Sequence, residues 1–197
     1  MESIGRAQLQ SVLAALGELL EARDLHYEVV LIGGGNLILR GLVSRTTKDL
    51  DILGAWTPDS VQPMGTLPEP LRVAVLDVAR AYGLASDWLN LGPSSLLDLG
   101  LPDGFMTRIE RHDYGGLATW LAGRIDMIFF KLYAAVDQGP RSRHFQDLRE
   151  LTPSEDELKA AARWATTHDP SPGFRLMLVQ TLSSLGVEEA EADASLG

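Results

Sequence analysis

The stretch SRTTKDLDIL, residues 44 to 53, sets Asp49 and Asp51 one residue apart in a run that otherwise has the apolar character of a buried strand. A strand sends residues i and i+2 to the same face, so the two carboxylates would emerge together while Leu50 and Ile52 fill the other face. Like charges held that close repel unless the strand ends in open water or a cation sits between them. Carboxylates are hard, acceptor-only ligands, and a same-face pair suits Mg²⁺ shared with the phosphates of a nucleotide. Such ions clamp the attacking and leaving oxygens of an in-line phosphoryl transfer. An isolated Asp-x-Asp, however, is more often a solvated strand end or a turn cap.

A second feature precedes the pair. LIGGGN, residues 31 to 36, reads as a strand turning through Gly33, Gly34 and Gly35 into a helix, which would set backbone N–H groups and a positive helix end beside a phosphate. It is neither a P-loop, since no Gly-Lys-Ser/Thr follows, nor a dinucleotide fingerprint, since the G-x-G-x-x-G spacing is missing. On the glycines alone, a tight strand-to-helix turn is the simpler reading. Two further residues stand out. Lys131 sits in the apolar stretch IFFKLYAA, where a lone lysine ordinarily snorkels to the surface. Asp147 lies in HFQDLREL, which could equally be a solvated amphipathic helix. Arg45 could neutralise charge beside a metal or pair with a surface acid. The four histidines show no metal-ligand spacing, no Gly-x-Ser-x-Gly elbow is present, and the chain has no cysteine.

The elements that must hold these residues follow from periodicity. Apolar residues at three- and four-residue steps predict a helix over about 7–23, and YEVVLI (27–32) is a buried strand. NLILRGLV suits a short helix closed near Gly41, and DLDIL is the next strand. Residues 54–68 read as a loop or edge excursion, followed by a helix over 69–82. After DWLN (87–90) and a short helical SSLLDLG, the stretches MTRIERHDY and GLATWLA read as strands joined at Gly115-Gly116. The rest is helical: about 124–136, 143–151, 154–167 and 172–184. The fold class is therefore α/β (α+β), with a small mixed sheet early and a helical C-terminal half. One domain over 1–185 is expected, its α/β core about 1–122 and its helical part about 123–185, with residues 186–197 as a disordered acidic tail.

Composition narrows the classes. The 197 residues are 45% hydrophobic and 22% charged, enough for one substantial core. No apolar run approaches the ~20 residues a membrane span needs, the N-terminus lacks a secretory pattern, and the missing cysteines fit a reducing compartment, so a cytoplasmic protein without a membrane partner is expected. A net charge of −10 argues against non-specific adhesion to nucleic acid, although arginines and lysines cluster locally.

Taken together, GGGN, RTTKDLDI and FFKLYAAVDQGPRSRHFQDLREL (129–151) resemble the DNA polymerase β-type nucleotidyltransferase superfamily and, more narrowly, the AbiEii and MenT nucleotidyltransferase toxins of bacterial toxin-antitoxin pairs. The resemblance implies a minimal polymerase β-like fold. It implies Mg²⁺ on Asp49 and Asp51, and a triphosphate approached by Gly34, Gly35 and Asn36, the last standing where the family often has a serine. Lys131 would be a point charge for a phosphate, with Arg45 near the metal. Asp147 would be a third carboxylate or a general base, with Asp126 and Asp87 as rivals in that order. Thr47, two residues before Asp49, stands where some kinase antitoxins phosphorylate the toxin. Added charge there would repel a triphosphate, while the plain alternative is a β-favouring residue entering a strand.

The implied activity is nucleotide transfer, with CTP or UTP favoured, to the 3′ end of tRNA, which blocks aminoacylation and translation. A cognate antitoxin would be the partner. One rival keeps the chemistry and changes the acceptor to a small molecule of the aminoglycoside type, which an acidic surface suits better. Another is a catalytically silent nucleotide-binding module.

Overall fold

The structure, a computed structural model, describes residues 3–92, 95–98 and 100–194. It divides into two compact units, residues 1–123 and 124–197. The first unit opens with α1 (Arg6–Glu21), an amphipathic helix that buries Leu9, Val12, Leu13, Leu16 and Leu20. Then come β1 (Tyr27–Ile32), α2 (Gly33–Leu39), β2 (Leu50–Trp56), β3 (Val61–Gln62), α3 (Glu69–Tyr82) and β4 (Leu89–Leu91). The short α4 (Ser95–Asp98) and α5 (Phe105–Arg108) precede the hairpin of β5 (Glu110–Asp113) and β6 (Leu117–Leu121). Of the short helical SSLLDLG, Ser94 and Leu99 lie outside the described residues, and Ser95–Asp98 is helix.

The sheet is mixed, in the order β3-β2-β1-β6-β5, with β4 on the same edge of β2 as β3. β1 runs antiparallel to β2 and parallel to β6. The outer edge of β2 is shared: β4 pairs in parallel with Leu50–Ile52, and β3 pairs antiparallel with Ala55 and Trp56. Between β1 and β2 the register slips, Val30 facing Gly54 but Leu31 facing Ile52, so Leu53 is the extra residue of a bulge. Counting faces through β1, Asp51 (opposite Ile32) therefore shares a face with Trp56, which stacks on Trp120 of β6 at 4.1 Å between ring centres.

Helix stops follow local chemistry. Pro70 lies in the first turn of α3, and Gly83, at φ 66°, ends it in the left-handed conformation. MTRIERHDY does not form one strand, because its first half turns as α5 and only Glu110–Asp113 pairs with β6.

The second unit is helical throughout its described residues: α6 (Arg124–Gln138), α7 (Arg143–Glu150), α8 (Glu155–His168), α9 (Pro172–Ser184) and α10 (Glu189–Ala194). Ser142, Ser154 and Ser171 cap α7, α8 and α9, each hydroxyl accepting from a first-turn N–H, and Ser154 with Glu157 completes a capping box. The Arg124 guanidinium donates to Leu151 O at 2.7 Å, Thr152 O at 3.0 Å and Glu157 Oε1 at 2.6 Å, tying the start of α6 to the α7–α8 turn. Part of the expected acidic tail is helix α10. Ala and Glu favour helix, Ala192 is buried, Lys159 reaches Glu191 at 2.8 Å and Arg175 reaches Asp193 at 3.0 Å. Residues 195–197 of that tail lie outside the described residues. The mixed sheet early and the helical second half are as expected from the sequence, and no described helix is long and apolar enough to cross a membrane.

Candidate active site

In the first unit the glycines behave differently from the expected turn. Gly33, Gly34 and Gly35 are themselves the first turn of α2, which follows β1 without a loop and has no side-chain cap from Ile32. Helix propensity alone disfavours three glycines in a first turn. Their neighbours supply the reason. Gly33 has φ +77°, and a Cβ there would fall on the Asp51 carboxylate, 3.1 Å from its Cγ. A Cβ on Gly34 would fall on the Arg45 guanidinium, 3.1 Å from Cζ. From β4's end, a Cβ on Gly92 would lie 2.9 Å from Asp51 Cβ. Asp51 is thus bracketed by two positions that tolerate no side chain, at a helix N-terminus whose partial positive charge favours a carboxylate or another anion.

Asp49 lies just before β2, not within it, and is exposed, while Asp51 is half-buried and Leu50 between them is fully buried. Thr47 is likewise outside the strand. Its backbone forms an isolated bridge with Ile4, through Ile4 N to Thr47 O at 2.7 Å and Thr47 N to Ile4 O at 3.0 Å. The Thr47 hydroxyl donates to Asp49 Oδ1 at 3.2 Å, and the residue is only 4% exposed. Asn36 is fully buried and its Nδ2 donates to Ala122 O at 3.1 Å, so the amide pins α2 to the chain leaving β6 rather than facing outward; Arg40 does the same through Leu121 O. Arg45 Nη1 also donates to Thr46 O at 3.0 Å. Asp87 is exposed in the turn before β4, where its carbonyl accepts from Asn90 Nδ2 at 3.2 Å.

The second unit brings together two of the expected residues. Lys131 Nζ of α6 lies 2.7 Å from Asp147 Oδ2 of α7, with side-chain exposures of 5% and 1%. Lys131 therefore does not snorkel, and Asp147 is not on a solvated face. Asp126, in the first turn of α6, is also fully buried.

The donors fit a hard divalent cation in chemistry, since Asp49 and Asp51 flank one buried residue and the glycines keep space at Asp51. Among the described residues no group of three or more His, Cys, Asp and Glu is placed to hold a metal ion. Two carboxylates would leave further coordination positions to water, phosphate oxygens or neutral protein groups. Asn90 was not expected at the site. It faces Asp51 in the β2–β4 register, and the signal in the sequence was the alternation of WLNLG, which makes a strand of residues around Asn90. A separate cleft of about 430 Å³ in this unit is lined by Asp59, Asp98 and Asp103, and by none of the expected site residues.

No curated protein and no solved structure matches the chain. Residues 7–151 match the family described as nucleotidyltransferase of unknown function, DUF6036, a span that runs from α1 to the end of α7 and takes in Asp49, Asp51, Lys131 and Asp147. Over that span, most of its length, the chain belongs to this nucleotidyltransferase family.

Proposed function

We propose that this chain transfers a nucleotide from a nucleoside triphosphate to an RNA hydroxyl, with Asp49 and Asp51 as the seat of Mg²⁺. The observation that carries the reading is the packing of α2's glycine turn against Asp51 and Arg45. The start of α2, with no side-chain cap, lies beside the Asp51 carboxylate and the Arg45 guanidinium, with Asp49 two residues earlier in the chain, and groups of these kinds suit a metal-bound triphosphate. The acceptor hydroxyl gives up its proton to solvent, its oxygen bonds to the α-phosphorus, the bond from that phosphorus to the bridging oxygen of the β-phosphate breaks, and pyrophosphate leaves with the bonding electrons. When bound, Mg²⁺ would supply charge neutralisation on the phosphates. The chain's own part is positioning: the Gly33–Gly35 N–H groups and Arg45 orient phosphate oxygens, and the Thr47 hydroxyl holds Asp49. Asn36 supports α2 from behind. Lys131 and Asp147 enter as a pair on which activity depends, with Asp126 and Asp87 as lesser acidic candidates.

The finer parts of the proposal rest on the resemblance to AbiEii and MenT toxins. They are the 3′ end of tRNA as acceptor, CTP or UTP as donor, arrest of translation and growth, a cytoplasmic setting, and control by a cognate antitoxin. Phosphorylation of Thr47 by a kinase antitoxin requires the Ile4–Thr47 bridge to open first, because the hydroxyl is covered. The test is incubation with each α-labelled NTP, Mg²⁺ and total tRNA, beside Asp49→Ala. Label in tRNA that disappears with the variant is the expected result, and no label with any NTP defeats the RNA reading.

A second reading changes only the acceptor. The net charge of −10 favours a small cationic molecule over a polyanionic RNA. Label appearing in an aminoglycoside but not in tRNA selects it.

A further inference from the structure

Asp51 is the residue of the pair that lies within the sheet, and its neighbour across the sheet is an amide. β4 runs parallel to β2 with Leu50 opposite Leu89, Asp51 opposite Asn90 and Ile52 opposite Leu91. Register partners on adjacent strands send their side chains to the same face, so the Asn90 amide leaves the sheet beside the Asp51 carboxylate. The placement is held firmly. Leu50 N donates to Trp88 O at 2.6 Å on one side, and Gly92 N donates to Ile52 O at 2.7 Å on the other. The fully buried Trp88 anchors this short strand to α3 through Nε1 to Val75 O at 3.0 Å.

The amide itself is oriented. Asn90 Nδ2 donates to Asp87 O at 3.2 Å, which turns the Oδ1 end of the side chain away from that turn. An amide oxygen is a hard, neutral ligand of the kind that Mg²⁺, Mn²⁺ and Ca²⁺ accept. Gly92 completes the picture, since any side chain there would press on Asp51 Cβ from the β4 side.

We infer that Asn90 is a third protein donor to the cation held by Asp49 and Asp51, and that its neutrality makes cation retention depend on the triphosphate. The inference rests on the metal-seat reading above. Affinity for hard cations rises with the count of charged ligands, and this donor set carries two negative charges where a third carboxylate would give three. A nucleotide-free protein then binds the cation weakly. The phosphates of the incoming nucleotide supply the missing charge, so metal and nucleotide arrive and leave together.

Calorimetric titration of Mn²⁺ into the full chain tests this without reference to activity, using wild type, N90D, N90A and D51N, with and without a non-hydrolysable triphosphate. N90D should tighten nucleotide-free binding about tenfold or more, and should shrink the gain that nucleotide brings. N90A should weaken Mn²⁺ binding in the presence of nucleotide by about tenfold, the scale of a lost ligand-shell partner. Thermal melts identify any variant that has lost its fold, and N90D, which keeps the side-chain shape, carries the test if N90A melts early. If D51N weakens binding while both Asn90 variants match wild type, the role of Asn90 is overturned and the metal seat stands. If D51N also matches wild type, the metal seat itself is wrong.

Discussion

Lys131 and Asp147 form an ion pair at 2.7 Å with both side chains almost wholly out of water. Deleting one partner of such a pair strands a buried charge and costs about 3–5 kcal/mol, whereas replacing both with apolar groups is often neutral. Lys131→Ala should therefore unfold at markedly lower urea concentration, and the double replacement K131M/D147L should recover most of that loss. The double variant separates scaffold from chemistry. The proposal requires it to be folded and inactive, and a folded, active one would remove the pair from the mechanism.

Gly33 and Gly34 of α2 should respond unequally to alanine. Gly33→Ala meets both a left-handed backbone at φ +77° and the Asp51 carboxylate, so a loss of about 1–3 kcal/mol together with most nucleotidyl transfer is expected. Gly34→Ala meets only the mobile end of Arg45, and should lose transfer with little change in melting. Gly65→Ala, with nothing within 4 Å, is the control that changes neither.

Thr47→Val keeps the buried shape while removing the hydroxyl that donates to Asp49. About 1 kcal/mol of stability should go with that hydrogen bond, and transfer should fall as Asp49 loses its hold. Thr47→Glu must place a charge at a site 4% exposed, so it should both melt early and lose transfer. A Thr47→Glu protein with wild-type transfer would sink the regulatory proposal.

Low pH should loosen the second unit at the start of α8. The hydrogen bond from Arg124, followed by the N–H of Ser154, holds the Glu157 carboxyl below the usual glutamate range. A carboxyl lowered in the folded state stabilises above its unfolded value, about 4.3, and that contribution disappears as pH falls through the folded value. Unfolding measured from pH 6 downwards should show wild type losing about 1 kcal/mol that Glu157→Gln lacks throughout, the scale of one helix cap.

The long, strongly patterned elements were legible from sequence, among them Tyr27–Ile32, Glu69–Tyr82 and Pro172–Ser184, which match their predicted limits. The residues that misled did so because distant partners overrode local preference. Gly33 to Gly35 read as a turn by propensity, but room for Asp51 and Arg45 keeps them in the helix. Thr47 and Asp49 read as strand, but Ile4 captures Thr47 and β2 begins one residue after Asp49. Lys131 and Asp147 were each conspicuous, yet their pairing depends on how α6 packs against α7. Asn90 was invisible as a site residue because only the parallel register of a three-residue strand brings it to Asp51.

The Ile4–Thr47 bridge also has a practical side. Ile4 is the backbone partner of the residue whose hydroxyl holds the Asp49 carboxylate, so a substitution such as Ile4→Pro, which removes the N–H donated to Thr47 O, should be felt at Asp49 although Ile4 itself touches no proposed ligand.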